Sequence, residues 1–280
     1  MYDYFQGFLN PKIRRILRRA LPGFVSNVGI QRILLDLDVI NLWFKAVLYR
    51  IRKLGLFAAF KKAICPSYIP LYYIDIGTHE MACELNFYLD EIAPVIAPHS
   101  RIFGFEASSS TFDKAAHNLK GKSNVTLFNR ALVGGSRSGT KIRLYKSSGS
   151  SVADSVFRKS NLFEDVDTCV LSDFIRKKIK NIDHSIIIIR MNIEGSEKDV
   201  IDDLCASGLV SRIAGFFGMR NDVAAIDPEK GMQFERQLKK NKIVNFTFND
   251  RDFQDSRRMA LITYHFNSVI LERVSQIFDT

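Results

Sequence analysis

The segment YYIDIG at residues 72–77 decides the fold, because an apolar run ends there in an acidic residue and a glycine. Two later runs have the same form, RIFGFE at 101–106 and IIIIRMNIEG at 186–195. Continuous apolar runs are typical of strands that a parallel sheet buries on both faces. The carboxyl ends of such strands meet at one edge of the sheet, where ligands bind. We therefore expect one crevice to be lined by Asp75, Gly77, Glu106, Asn192 and Glu194.

The spacing of these runs supports an α/β fold. Asp75 and Glu106 are 31 residues apart, and a parallel crossover needs at least about a dozen residues and usually a helix. Strands are expected at 71–76, 101–106, 124–129, 186–192 and 210–217, and helices at about 80–96, 109–119, 172–180, 196–207 and 228–241. This alternation predicts a Rossmann-like fold, a mainly parallel sheet with helices on both faces.

Two regions depart from the alternation. Residues 130–171 contain turn glycines, a Ser-rich segment and short β-like runs at 141–145 and 168–171. Such a pattern indicates a hairpin insertion and a mobile loop. Towards the end of the chain, the runs at 243–249 and 267–273 also have β-like character.

The basic charge of the chain is concentrated at its N-terminus. Residues 1–66 hold 12 of the 40 Lys and Arg residues and 3 of the 30 acids, which is +9 of the formal +10. An amphipathic pattern predicts a helix at 11–21, with further helical stretches at about 31–53 and 56–64. We divide the chain into this basic helical segment, 1–66, and an α/β domain, 67–280.

Three interpretations of the basic segment are open. It can cover the sheet as a helical lid, or it can lie on an anionic membrane surface through residues 11–62, as basic amphipathic helices do. Nucleic-acid binding is the least favoured, because neither an aromatic–basic pattern nor a known motif accompanies the charge. We therefore expect no nucleic-acid partner.

The composition also bears on the compartment. The cysteines, Cys65, Cys83, Cys169 and Cys205, form no CxxC pair, and the five histidines lack metal-ligand spacing. We expect reduced thiols and no metal site. The first residues lack the basic and apolar regions of a signal peptide, and no uncharged apolar run approaches the roughly 18 residues of a membrane-spanning helix. These features predict a cytoplasmic protein, with peripheral membrane contact as the alternative.

The loop after the first strand limits the class of nucleotide. A dinucleotide-binding loop reads G-x-G-x-x-G, but GTHEM at 77–81 has one glycine. Glu80 would repel a pyrophosphate at a helix N-terminus, so an NAD-dependent enzyme is disfavoured. Asp75 and Glu106 suit a cationic nucleoside without phosphate, and Glu106 can accept hydrogen bonds from both ribose hydroxyls. S-adenosylmethionine has this chemistry.

These residues resemble the FkbM family of S-adenosylmethionine-dependent methyltransferases. Asp75-Ile76-Gly77, Phe105-Glu106 and RMNIEGSE at 190–197 are similar to its motifs D-I-G-A-N-x-G, F-E-P and K-I-D-V-E-G-x-E. The resemblance covers about residues 70–217 and implies a class I methyltransferase fold, usually with O-methylation of a sugar or natural-product hydroxyl. It implies cofactor contacts from Asp75, Gly77, Thr78, His79, Glu106, Ala107, Asn129, Ala131 and Asn192.

The chain also departs from the family's motifs. Its replacements lie at Thr78, His79, Met81, Ala107, Arg190 and Asn192. Asn192, where the family has aspartate, can donate and accept hydrogen bonds but carries no charge and cannot act as a base. These departures favour the alternative function, a non-catalytic methyltransferase-like protein that acts as a binding or scaffolding module.

Candidate catalytic residues follow from the chemistry of methyl transfer to a hydroxyl. The acceptor oxygen must be held in line with the methyl group, and a base must lie within hydrogen-bond reach of it. The candidate bases are Glu194 and His79. The alternative role of Glu194 is that of an acid at a helix N-terminus. The alternative role of His79, which titrates in the useful pH range, is to pack against the cofactor. Glu197 is expected to be a first-turn residue of the next helix. Substrate contacts to a glycan or other small acceptor are expected from Asp222 and Arg220, although an ordinary turn is the alternative there.

Overall fold

A computed structural model describes residues 67–135, 139–146, 160–218, 221–243, 246–248 and 250–278 of the 280-residue chain. The predicted helices of residues 1–66, the predicted mobile loop and the substrate candidate Arg220 lie outside the described residues.

Eight strands occur in the described ranges: β1 (Leu71–Ile76), β2 (Arg101–Glu106), β3 (Val125–Asn129), β4 (Ala131–Val133), β5 (Lys141–Tyr145), β6 (Phe163–Val170), β7 (Ile186–Met191) and β8 (Gly215–Gly218). Five of them form a central parallel sheet in the order β3-β2-β1-β7-β8. The other three form a small sheet in the order β4-β6-β5, where β5 and β6 pair antiparallel. The α/β fold and the hairpin insertion are therefore confirmed.

The helices of the same ranges are α1 (Cys83–Phe87), α2 (Ala93–Ile96), α3 (Ser109–Asn118), α4 (Leu171–Lys178), α5 (Glu197–Ala206), α6 (Asn221–Ile226), α7 (Pro228–Lys240) and α8 (Ser256–Phe278). A π-helical turn, Tyr88–Ile92, joins α1 to α2, and 3-10 turns lie at Val210–Arg212 and Asp250–Gln254. Not one helix in the part of the chain that the structure describes combines the length and apolar character needed to cross a membrane.

Helices cover both faces of the central sheet. Successive side chains of a strand point to opposite faces, so Tyr73 and Ile74 belong to two different hydrophobic clusters. Tyr73 packs with the π-helical turn and with Phe266 of α8. Ile74 belongs to the cluster formed by side chains of α4, α5 and α7. The buried strands thus explain the continuous apolar runs of the sequence.

The strand order reverses at the edge of the sheet where the sequence predicts a ligand crevice. The chain moves outward from β1 to β2 and β3, then returns to the other side of β1 for β7 and β8. The order therefore reverses between β1 and β7, and such a switch point is where open α/β sheets bind ligands. The register sets Asp75 beside Arg190 on β7 and Gly104 on β2, and sets Glu106 beside Asn129.

The β-like run predicted at 267–273 is wrong, because these residues lie inside α8. Ile262, Phe266, Ile270 and Val274 recur every four residues and are buried, which is the period of a helix face. The sequence Val-Ile-Leu at 269–271 is short, and a short apolar run does not distinguish a strand from a buried helix.

Three other predictions differ from the structure by more than two residues. The strand expected at 210–217 begins at Gly215, because residues 210–212 form a 3-10 turn. The run at 243–249 forms no strand in its described residues, although the Phe246 amide donates to the Phe216 carbonyl at 3.4 Å. The helix expected to begin at residue 80 begins at Cys83.

Candidate functional site

The loop after β1 packs closely against the main chain of Asn192 and is hydrogen-bonded to β2. Gly77 has a φ of +83°, and a Cβ atom on it would lie 2.0 Å from the carbonyl oxygen of Asn192. The amides of Gly77 and Thr78 both donate to the carbonyl of Phe105, at 2.8 and 3.1 Å. Because these N–H groups already donate to a carbonyl of β2, they do not form the phosphate cradle of a dinucleotide-binding turn.

Substitution of Gly77 by alanine should destabilise the domain by about 2–4 kcal/mol, since it combines a strained left-handed backbone with a clash against rigid main chain. Gly121 provides a matched control, because its φ is +89° but no atom lies within 4 Å of a Cβ placed there. Gly121→Ala should cost only the backbone strain, roughly 1 kcal/mol. Urea unfolding of both variants measures the difference, and equal losses would contradict the close packing of Gly77 against Asn192.

The Glu106 carboxylate is fixed at the carboxyl end of β2. One oxygen accepts a hydrogen bond from the His79 amide and the other from the Ser108 amide, both at 3.0 Å. Asn129 holds the backbone here, because its side-chain amide donates to the carbonyls of Glu106 and Ala107 at 2.9 and 3.0 Å. The backbone amides of His79 and Ser108 fix the orientation of the Glu106 carboxylate.

The hairpin insertion reaches the same region. The Lys146 ammonium donates to the Ser108 hydroxyl and to the Glu164 carboxylate, both at 2.6 Å. Glu164 also accepts a hydrogen bond from the Ser109 amide at 3.1 Å. The small sheet therefore holds the turn that follows Glu106, where α3 begins at Ser109.

Three buried charged side chains, Asp75, Glu84 and Arg190, form an ion cluster at the carboxyl end of β1. Arg190 donates to the Asp75 carboxylate at 3.2 Å and to the Gly77 carbonyl at 2.7 Å, and its other terminal nitrogen donates to Glu84 at 2.5 Å. Asp75 is 0% exposed, Arg190 2% and Glu84 6%. The guanidinium thus connects β7 to β1 and to the first turn of α1, and it fixes the carbonyl of the glycine loop.

The cluster is short of positive charge, since two carboxylates share one guanidinium. Burial raises the pKa of Asp75 to about 6, although Arg190 opposes the shift and Glu84 adds to it. Burial alone would lower the pKa of Arg190, but Glu84 and Asp75 raise it above its ordinary value. Asp75 Oδ2 is buried and accepts no hydrogen bond from any described residue. A cationic or hydrogen-bond-donating group would be stabilised beside it.

The loop after β7 is held by Glu197. Its carboxylate oxygens accept hydrogen bonds from the amides of Ile193 and Gly195, at 2.8 and 2.9 Å, and the residue is 1% exposed. Glu194 lies between these two residues with a φ of +52°, and Gly195 itself has a φ of +105°. Burial raises the pKa of Glu197, the backbone donors oppose this shift and Asp222 adds to it, and the resulting pKa is about 7. Glu197 is thus the first residue of α5, as expected, but it also binds the loop before it.

The structure brings together most of the residues that the sequence suggested. Those at the carboxyl ends of β1, β2, β3 and β7 are Asp75, Gly77, Thr78, His79, Glu106, Ala107, Asn129, Asn192 and Glu194. Ala131 is buried in β4, beside Ala107 in the small cluster under the hairpin. His79 has a φ of +63°, and its Nε2 atom is buried without a hydrogen-bond partner among the described residues.

Sequence reasoning missed the partners that organise this site. In the sequence, Arg190 stands out only as a replacement in a motif, and no pattern points to Glu84. The signal was present, because an arginine that ends four isoleucines must be buried and therefore paired. Comparison with known proteins adds nothing to this geometry: no protein-family model matches the chain, and no curated protein matches it.

Proposed function

We propose that this protein is an S-adenosylmethionine-dependent methyltransferase that methylates a hydroxyl group of a sugar-containing or other small acceptor. The observation that carries this proposal is the Glu106 carboxylate, fixed by the amides of His79 and Ser108 at the end of β2. An acid at this position of a nucleotide-binding α/β sheet accepts the hydroxyls of a ribose. The ribose side of the cofactor is thus assigned to Glu106.

The remaining contacts favour a nucleoside that has positive charge and no phosphate. The Gly77 and Thr78 amides are used by the Phe105 carbonyl, so the loop offers few donors to a pyrophosphate. Asp75 and Glu84 outnumber the one guanidinium that they share. Asp75 is 0% exposed, so its carboxylate favours a nearby ammonium or sulfonium group through its charge and not through direct contact. In S-adenosylmethionine the sulfonium carries the methyl group that is transferred.

The chain's own residues would bind the acceptor and accept its proton. Glu194 follows β7 at the same edge of the sheet and is partly exposed, so we assign it the role of general base. His79 is the second candidate base, since its Nε2 atom is buried and unpartnered in the described structure. Asp222, at the start of α6, is assigned an acceptor contact.

Glu194→Gln should lower turnover by roughly 10²- to 10⁴-fold, the contribution typical of a positioned base. Binding of S-adenosylhomocysteine should change less than twofold, because Glu106 and not Glu194 is assigned to the cofactor. Single-turnover kinetics and isothermal titration measure the two quantities separately. A Glu194→Gln enzyme with unchanged turnover would remove Glu194 from the role of base and leave it to His79.

Turnover itself requires a direct assay. The full chain is incubated with radiolabelled S-adenosylmethionine and a cell-extract pool of small acceptors, and transferred label is measured. Label in a small-molecule fraction supports the methyltransferase proposal. Cofactor binding without transferred label would favour the binding or scaffolding alternative, which the replacement of aspartate by Asn192 in the K-I-D-V-E-G-x-E motif also favours. Absence of both binding and transfer would contradict the proposal.

A further inference from the structure

The loop at 193–195 adopts a conformation that requires support. Glu194 has a φ of +52°, in the left-handed region that a side chain disfavours by about 1–2 kcal/mol. Gly195 follows at +105°. The Ser196 amide contacts the Ile193 carbonyl at a long 3.3 Å. The intrinsic preference of Glu194 therefore works against this loop geometry.

The Glu197 carboxylate supplies that support. It accepts hydrogen bonds from the amides on both sides of Glu194, Ile193 at 2.8 Å and Gly195 at 2.9 Å. The two bonds use both oxygens, so both require acceptor atoms. An ionised carboxylate offers two charged oxygens, whereas protonation converts one of them into a hydroxyl oxygen, which is a weaker acceptor for the amide.

We propose that Glu197 is a positioning residue whose carboxylate holds the loop at 193–195, and with it the Glu194 side chain, in one conformation and releases the loop on protonation. The consequence for turnover rests on the proposed function, because it requires Glu194 to act on the acceptor. The two hydrogen bonds from the Ile193 and Gly195 amides to Glu197, which we call the clamp, do not depend on the proposed function. Ionised Glu197 corresponds to the closed loop and protonated Glu197 to the loosened one.

Burial and the surrounding groups together set the pH at which Glu197 is protonated. Burial disfavours the ionisation of Glu197 most, the charge of Asp222 on α6 adds to this effect, and the backbone donors oppose both, so that the pKa of Glu197 is about 7. On its own helix, Lys198 pairs with Asp202 at 2.5 Å and Asp199 pairs with Lys230 of α7 at 2.9 Å. Neither of these two neighbours is directed at the Glu197 carboxylate. Glu194, in the loop itself, is the remaining carboxylate next to it in sequence.

Backbone amide shifts test the clamp without any cofactor. In ¹H–¹⁵N spectra of the full chain labelled at glycine and isoleucine, the Gly195 and Ile193 amides should titrate together with a midpoint near pH 7. The titration should persist in Glu194→Gln, should move to lower pH in Asp222→Asn, and should vanish in Glu197→Gln. Amides that stay constant from pH 5.5 to 8, or that still titrate in Glu197→Gln, would overturn the clamp.

The functional consequence has a separate readout. Turnover of the wild-type protein should rise as pH increases through 7, and Glu197→Gln should lose this step together with roughly tenfold of its turnover, the loss of about one charge-assisted hydrogen bond. If the amides titrate as expected but no turnover occurs, the clamp is correct and the methyltransferase proposal is wrong. If turnover occurs with the same pH step in Glu197→Gln, Glu197 does not position Glu194.

Discussion

Arg190→Met is expected to lower the free energy of unfolding by about 3–5 kcal/mol, because it leaves two buried carboxylates without their cation. The methionine has similar length and would fill the space between β1, β7 and α1, so packing changes little. The loss comes from Asp75 and Glu84, which Arg190 contacts at 3.2 and 2.5 Å, and from the Gly77 carbonyl. Urea unfolding at pH 7 measures it. A variant as stable as the wild type would contradict a structural role for the cluster.

Asp75→Asn is the matched variant, and it should behave differently. It removes the carboxylate that is in excess and keeps an acceptor for Arg190, so stability at pH 7 should change by only about 1 kcal/mol. It also isolates the pH dependence of the cluster. The pKa of Asp75 is near 3.8 when unfolded and about 6 in the fold, so the folded state binds its proton more tightly.

The sign of this linkage follows from proton binding. Between pH 6 and pH 4 the native protein holds the Asp75 proton and the unfolded chain does not, so lowering the pH stabilises the wild type. Relative to Asp75→Asn, the wild type should gain about 2.4 kcal/mol as the pH falls from 7 to 4, out of about 3 kcal/mol for the full shift at lower pH. Unfolding curves of both proteins across this range give the difference, and a constant difference would show that the pKa of Asp75 is not raised.

Glu106→Gln should weaken binding of S-adenosylhomocysteine by roughly 10- to 150-fold, the loss of about 1.5–3 kcal/mol that hydrogen bonds to a charged group contribute. The glutamine keeps the shape of the side chain, but its NH₂ group faces a backbone donor, either His79 or Ser108. The ribose contact and the position of the loop after β1 are therefore both affected.

Glu91→Gln is the control for this prediction, because Glu91 is an exposed acid on the π-helical turn. It removes the same charge and should leave the affinity within twofold. Isothermal titration gives both affinities, and unfolding curves establish that both variants are folded. If Glu106→Gln binds S-adenosylhomocysteine as tightly as the wild type does, Glu106 is not the ribose acceptor.

The sequence predicted the central sheet well because strands buried on both faces leave an unambiguous pattern. β1, β2 and β7 lie where their apolar runs ended in Asp75, Glu106 and Asn192. The final helix was not predicted, since Val269 to Leu271 reads equally well as a strand. The local pattern does not distinguish a strand from a helix there. The segment is a helix because it belongs to the 23-residue α8, whose apolar face is buried in the core.

The sequence predicted which residues lie at the strand ends but not the hydrogen bonds and ion pairs that hold them. Strand ends identify which residues converge, whereas hydrogen-bond partners depend on contacts between residues far apart in the chain. Arg190 and Glu84 are separated by 106 positions and Arg190 and Asp75 by 115, so no local pattern pairs them. Glu197 is the exception, because its two partners lie within four residues, and an acid that follows a glycine at the start of a helix was a usable signal.

Isothermal titration of the full chain with S-adenosylhomocysteine, with NAD⁺ as the parallel ligand, tests the central claim most directly. The Glu106 site and the occupied amides of Gly77 and Thr78 predict saturable one-site binding of S-adenosylhomocysteine and no measurable binding of NAD⁺. Absence of S-adenosylhomocysteine binding, or tighter binding of NAD⁺, would contradict a methyltransferase cofactor site at the ends of β1 and β2.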